Sequence, residues 1–398
     1  MSQQSLQEEL ERRVAKLQNE LSENQIEGAL ILNNAALYYF SGTIQRSYLY
    51  IPVKGLPVLM VIKDFHRARV ESPLQHVVEL KSFRDMPKIL LEYGIKPISA
   101  LGVEMDVVPA DQYFRIEKVF QPDQMSDIAP FVRKIRMIKS TSEQNKIRQA
   151  GRHAARVMKM VYESMRPGMS EFTLVGMIEA FSRELGHAGY IRARAMNQEL
   201  TYVQLLSGPD GSEISFGNGP LGGKGPHDAY PHGPSNRTIQ AHEPIILDYE
   251  AWYDGYMADM TRTFAIDSLP AHLMEAYQVA ATIEEQIQEI IHPGVPSGEI
   301  YRMASEMASE AGLQEHFMGM RKPVPFVGHG LGLEVDEWPV LFSGNTTKLE
   351  AGMVLAAEPK FVFPEGAVGI ENTYLVTDNG CEVLTPFDQR LMISGDSV

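Results

Sequence analysis

The sequence predicts an α/β protein of two domains, the second built from a duplicated half. Three observations carry this. Up to about residue 128, short apolar runs alternate with helical stretches, the pattern of a small α/β layer. Between residues 140 and 312 the order helix, Pro-Gly break, helix, Gly occurs twice, and strands follow each copy. Between the copies, two long apolar runs are joined by Asp254-Gly255, a strong two-residue hairpin signal.

Taken in order, residues 5–24 carry apolar side chains at helical spacing. Apolar runs at 28–33, 47–52 and 56–62 read as strands, with shorter strands near 77–80 and 99–103. Helical stretches near 64–71 and 86–93 intervene. The basic stretch 130–139, with Arg133, Lys134, Arg136 and Lys139, reads as a connector and sets domains at 1–135 and 136–398. Ser140-x-x-Glu143 is a capping box that opens a helix to about Met165. That helix breaks at Pro167-Gly168, and its successor ends at Gly186, a C-terminal capping glycine. The second copy runs from about Ala271 to Ile291, breaks at Pro293-Gly294 and resumes until Gly312. Residues 208–233, rich in glycine and holding His227 and His232, read as a loop with no regular element that approaches a ligand. Its Gly-Gly-Lys-Gly lacks the spacing and following helix of a phosphate loop.

The chain has 398 residues, 44% hydrophobic and 22% charged, the balance of an ordinary globular protein with sizeable cores. A net charge of −15 argues against nucleic acid and acidic membrane surfaces as partners. Cys381 is the single cysteine, so no internal disulfide forms and a cytoplasmic location is expected. The first residues are rich in Gln and Glu and do not read as a signal peptide. No run of about 18 apolar residues occurs, so no membrane span is expected.

Five residues point to chemistry: Asp248, Asp259, His329, Glu358 and Glu371. Four carboxylates and one imidazole are what two hard or borderline divalent cations need, because carboxylates both bridge and neutralise metals. Two such ions generate a nucleophile at neutral pH and clamp a tetrahedral intermediate. Pairing Tyr253 with Tyr256 across the hairpin puts Asp248 opposite Thr261 and Asp259 on the same face. Carboxylates so close are costly without a cation between them. A lone histidine is more often structural than ligating, but His329 has glycine on both sides, which lets the backbone approach a site. Glu358 and Glu371 each follow an apolar run, and a Glu in a hydrophobic strand is expensive unless paired or metal-bound.

These residues and their contexts resemble the pita-bread family of methionine aminopeptidase, aminopeptidase P, prolidase and creatinase. The resemblance rests on Asp248 and Asp259 at eleven-residue spacing, Asp259-Met-Thr-Arg-Thr-Phe264, Gly328-His329-Gly330, Ala357-Glu358-Pro359 and Ile370-Glu371, over about residues 140–390. Arg136-Met-Ile-Lys139 and Tyr38-Tyr-Phe-Ser-Gly42 resemble parts of the family's N-terminal creatinase-like domain and its link. It implies an α/β (α+β) fold, an N-terminal creatinase-like domain before a duplicated pita-bread domain. It also implies two divalent ions per chain, manganese, cobalt, zinc or iron, held by the five residues. Asp248 would bind one ion, Asp259 and Glu371 would bridge, and His329 and Glu358 would complete the other. Glu358 would be the general base and His232 an outer histidine that contacts substrate. The resemblance also implies a homodimer.

Two departures alter the substrate shell. The family's peptidases usually carry a second His seven residues after the metal His, where this chain has Asp336. An imidazole donates to a developing oxyanion, whereas an Asp does so only when protonated. Prolidases usually have an Arg two residues before the last Glu, where this chain has Gly369. The leading expectation is therefore a dinuclear aminopeptidase or dipeptidase acting on Xaa-Pro peptides. The alternatives are a non-peptidase small-molecule C–N hydrolase on a creatinase-like scaffold, and a non-catalytic binding protein, which the intact ligand set disfavours.

Overall fold

A computed structural model describes residues 3–197 and 199–394. The chain divides into two compact units, Met1–Arg136 and Met137–Val398.

The first unit runs α1 (Gln3–Glu23), β1 (Gly28–Ile31), α2 (Asn34–Ser41), β2 (Ser47–Pro52), β3 (Val58–Val61), α3 (Phe65–Glu71) and β4 (His76–Glu79). It continues α4 (Met86–Glu92), β5 (Ala100–Val103), α5 (Ala110–Phe120), β6 (Gln124–Asp127) and α6 (Ala129–Met137). One mixed sheet, ordered β4-β3-β2-β1-β5-β6, carries the core of Leu30, Tyr50, Met60 and Leu101. The stretch expected as a basic connector is α6. Ala129, Val132 and Ile135 recur at helical spacing and are buried, a period the basic residues obscure. Strand β1 stops at Ile31 because Asn33 caps α2, accepting from the amides of Ala35 and Ala36.

The second unit runs α7 (Thr141–Ser164), α8 (Glu171–Glu184), β7 (Val203–Ser207), β8 (Ile245–Tyr253), β9 (Tyr256–Ile266), α9 (Ala271–Ile290) and α10 (Ser297–Glu310). Then follow β10 (Phe326–Gly330), β11 (Glu337–Phe342), β12 (Val354–Ala357), β13 (Lys360–Phe363), β14 (Gly366–Gly369), β15 (Asn372–Thr377), β16 (Gly380–Val383) and β17 (Met392–Ser394). Ser140 and Glu143 form the capping box in both directions. The helix pair interrupted at Pro-Gly occurs twice, as α7–α8 and α9–α10. Within the segment expected to hold no regular element, Gly208–Ser212 is a short 3-10 helix, started by the fixed φ of Pro209.

Three sheets make the second unit: β11-β10-β12-β15-β16, β17-β9-β8-β7 and the pair β13-β14. Asp254 and Gly255 have φ of 48° and 88°, the signs a tight hairpin turn needs, and they fix the register Tyr253↔Tyr256 and Asp248↔Thr261. The two larger sheets are tied by the Glu371 amide, which donates to the Thr261 carbonyl at 3.1 Å. The Asp259 amide donates to Thr373 Oγ1 at 2.9 Å, and that hydroxyl donates back to the Asp259 carbonyl. Behind them α9 and α10 bury Leu273, Ile283, Ile287 and Ile300 against Phe361 and Tyr374.

One core carboxyl makes this packing pH-dependent. Glu284 of α9 accepts from Asn372 Nδ2 at 2.9 Å and Tyr374 Oη at 2.7 Å, and burial pushes its pKa up to about 8. An acid raised in the fold binds its proton between about pH 4.5 and 8 while the unfolded chain has lost it. Its contribution is therefore full below pH 4.5 and is lost as pH rises to about 8. In chelated buffer, the melting temperature should fall less steeply with pH over this window for Glu284→Gln than for the parent. The difference corresponds to a few kcal/mol, of order 1.4 kcal/mol per pH unit. Parallel profiles would refute the assignment.

Candidate metal centre

The hairpin supplies the first part of the site. Successive side chains of a strand alternate faces, so Asp248 and Glu250 share one face of β8. Glu250 stands directly opposite Asp259 of β9. The second part comes from β10, β12 and the start of β15. His329 sits between glycines that close approach requires: a Cβ on Gly328 would lie 2.1 Å from the Ala356 carbonyl oxygen, and one on Gly330 2.2 Å from that of Trp338. Ala357 pairs with Asn372, so Glu358 and Glu371 emerge side by side at the ends of adjacent strands. All five candidate ligands from the sequence line one pocket. His232, Asp336, Glu250, Gln204 and Phe326 line it too.

The contacts are specific. Thr261 Oγ1 donates to Glu371 Oε2 at 2.7 Å. The fully buried Arg262 clamps the same junction, donating to the carbonyls of Thr261 and Glu371 at 2.8 Å each and to Asn372 Oδ1. His329 Nδ1 faces the Gly330 carbonyl at 3.1 Å and so carries the ring proton, which leaves Nε2 as the lone-pair nitrogen. Nε2 lies 3.9 Å from Asp259 Oδ2 and 3.8 Å from Asp336 Oδ1. Asp259 is 4% exposed, and among the described residues neither its Oδ1 nor Glu250 Oε2 has a hydrogen-bond partner.

Lys360, the first residue of β13, is the participant the sequence reading misses. Fully buried, its Nζ donates to Glu358 Oε2 at 2.6 Å, Asp248 Oδ2 at 2.9 Å and Glu371 Oε2 at 3.1 Å. Burial alone would lower its pKa, but these carboxylates outweigh burial, and the amine is held as an ammonium well above its ordinary value. Lys360 follows Glu358 by two residues, so strand alternation signalled a shared face. Glu250 was signalled too, since the Tyr253↔Tyr256 register places it against Asp259.

Burial, then neighbouring carboxylates, push Glu250 and Asp259 well above the usual carboxylate range. Glu371 is raised by burial and by Asp248 and Glu358, with Lys360 opposing. Acids crowded in this way are what a bound divalent cation returns to the ionised state. The orphaned oxygens of Asp259 and Glu250 show that the donor set fits such a cation. Three groups have ligand atoms within 4.8 Å of one another: Asp259–His329–Glu371, Asp248–Glu358–Glu371 and Asp248–Glu250–Asp259.

The substrate side is built from different residues. His232 is buried, which lowers its pKa, with Asp248 partly opposing. Its Nε2 lies 3.4 Å from Gln204 Nε2, and Phe216 packs beside the ring at 5.5 Å. Asp336 has half of its side chain exposed. Gly369 pairs with Lys360 across the β13–β14 hairpin. A Cβ there would lie 2.7 Å from Lys360 Cγ and 2.8 Å from both Lys360 Cα and the Pro359 oxygen. A side chain at position 369 would therefore press on both the backbone of β13 and the Lys360 stem.

Carboxylates and an imidazole gathered at the junction of two sheets are a donor set that fits a metal-dependent hydrolase. Residues 145–378 match the model of metallopeptidase family M24, and residues 13–138 match the creatinase/prolidase N-terminal domain. The chain belongs to metallopeptidase family M24, whose members use divalent metals, and it is a hydrolase with the pita-bread fold in its second unit. An Xaa-Pro dipeptidase of Pyrococcus furiosus is 26% identical over 390 residues, 96% of this chain and all of that protein. The crystal structure of a prolidase from Pyrococcus horikoshii superposes with a TM-score of 0.81 at 26% identity, covering 96% of this chain and 99% of that one. An Xaa-Pro dipeptidase from Bacillus anthracis gives a TM-score of 0.82 at 24% identity over 96% and 99% of the two chains, a likeness of fold.

The contact between Gly369 and Lys360 has a measurable consequence. Overpacking a filled site costs about 1–3 kcal/mol. Gly369→Ala should lower the melting temperature of the chain and loosen Lys360 from its three carboxylates. Calorimetry that shows an unchanged transition would mean that β13 yields freely.

Proposed function

We propose that this chain is a dinuclear metal-dependent peptidase of Xaa-Pro type, a dipeptidase or an aminopeptidase. The observation that carries the reading is the convergence of Asp248, Asp259, His329, Glu358 and Glu371 on one pocket, with a buried Asp259 oxygen left unpartnered. The relatives named Xaa-Pro dipeptidase and prolidase support the substrate class.

Divalent ions bound here would supply Lewis acidity and make water acidic enough to ionise near neutral pH. The chain's own groups do the rest. Glu358, on the pocket wall, accepts the proton of the attacking water and returns it to the leaving amine. Lys360 fixes Glu358 from behind through Oε2. His232 lies across the pocket, and with its pKa lowered by burial it is a neutral imidazole, able to donate to substrate. Asp336 stands beside His329, where the peptidases have a donor.

A second reading is favoured by one observation. Among the described residues, the pocket wall carries six carboxylates (Asp248, Glu250, Asp259, Asp336, Glu358 and Glu371) and no Arg or Lys. No fixed positive charge of the wall pairs with a substrate carboxylate, which suits a C–N hydrolase for small neutral or cationic molecules. We keep for the chain a homodimeric state and a cytoplasmic location.

Hydrolysis of Xaa-Pro dipeptides and tripeptides with manganese or cobalt tests the reading. Activity should be present in the parent and abolished in Asp259→Ala. No cleavage of any peptide by the metal-loaded chain would favour the second reading. Asp336→His should raise Xaa-Pro hydrolysis at neutral pH, towards the ~10²–10³ that one oxyanion donor is worth. Unchanged turnover would remove Asp336 from the catalytic machinery. Light scattering should give twice the 44.5 kDa chain mass, and a stable monomer would refute the dimer.

A further inference from the structure

Two features of the site lie outside the five-residue set, and they belong together. The seat between Asp248, Glu358 and Glu371 is one of the three groups with metal-like spacing. It is also the seat that the Lys360 ammonium fills, at 2.6–3.1 Å from an oxygen of each. The two remaining groups share Asp259. Asp259 Oδ2 lies 3.9 Å from His329 Nε2, and its other oxygen, Oδ1, is buried without a hydrogen-bond partner among the described residues. Ligands at about 2.0–2.2 Å from one ion lie within roughly 4.4 Å of each other, so the first of these distances suits a shared metal. Glu250, directly opposite Asp259, also holds a buried, unpartnered oxygen.

We propose that Lys360 keeps the Asp248–Glu358–Glu371 seat, and that Glu250 supplies the ligand that replaces it. The two ions then lie at Asp259–His329–Glu371 and at Asp248–Glu250–Asp259. This rests on the two-ion reading of the preceding subsection and reassigns its ligands. Charge supports it. The three groups hold five carboxylates, Asp248, Glu250, Asp259, Glu358 and Glu371, against the one ammonium of Lys360, and the four negative charges left over balance two divalent ions. Glu358 is thereby released from ligation and remains held by Lys360 at the pocket wall. Gly369 belongs to the same arrangement, because any side chain there would meet Lys360.

Manganese counting tests the assignment without peptide substrate. The full chain, stripped by chelation and checked for folding by circular dichroism, is titrated calorimetrically with Mn²⁺. Bound metal is then counted by mass spectrometry after gel filtration. The parent should hold two ions. Glu250→Gln should hold one, with the second weakened about 100-fold or more. Glu250→Gln combined with Lys360→Met should regain two, because removal of the ammonium frees the seat between Asp248, Glu358 and Glu371 for an ion. A parent that holds one ion, a Glu250→Gln variant that holds two, or a double variant that stays at one overturns the proposal. Anomalous scattering from parent crystals grown with Mn²⁺ tests it without any substitution. Peaks are expected beside Glu250 and His329, and a peak on the Lys360 seat overturns it. If the ions bind as stated while no Xaa-Pro peptide is cleaved, the peptidase reading falls and this one stands. Xaa-Pro cleavage with an unaltered ion count in Glu250→Gln gives the reverse.

Discussion

Mutual repulsion of buried carboxylates is the constraint on which the site depends. Asp248, Glu250, Asp259, Glu358 and Glu371 crowd one pocket, three of them buried, where water screens them poorly. Isolated, such groups would take up protons, and burial alone already drives Glu250, Asp259 and Glu371 in that direction. Cations prevent this, and the fold supplies one of them from its own side chains. Lys360 is placed by β13 so that a single ammonium answers three acids at hydrogen-bonding distance. Removing one partner of a buried ionic network leaves the others uncompensated, which costs more than the network contributes intact.

The rest of the second unit holds these acids in place against their repulsion. Arg262 anchors the backbone at Thr261 and Glu371, Thr261 binds the Glu371 carboxylate, and Thr373 locks the Asp259 backbone in both directions. These bonds cross between the two large sheets, so the ligand positions are a property of the sheet junction, not of loops. The acids are therefore presented rigidly, while the wall around His232 and residues 217–221 is irregular backbone. A strand-built acidic floor with a loop-built wall lets one scaffold serve several substrates.

Legibility in the sequence follows the range of the interactions. The β8–β9 register was readable because Asp254-Gly255 admits one turn geometry, and strand alternation then fixes every facing pair. The same register contained Glu250, and it went unread because a carboxylate beside a turn is ordinarily solvated. Helix α6 was hidden by its basic residues, although Ala129, Val132 and Ile135 kept the helical period. Short strands such as β6 and β17 carry too few residues for a pattern to declare itself.

By itself the sequence determined the α/β class and the hairpin that puts Asp248 and Asp259 on one face, because each depends on local periodicity or turn chemistry, while His329, Glu358 and Glu371 were legible through the motifs they share with a family. What only the tertiary structure decided is which charge answers which. Lys360 and Asp248 are 112 residues apart, and Gly369 faces Lys360 across a hairpin whose turn, at Pro364-Glu365 before Gly366, was legible but whose charged neighbours were not. A charge pair carries no local period. It is fixed by where distant strands bring their ends, and here that is the junction of the sheets.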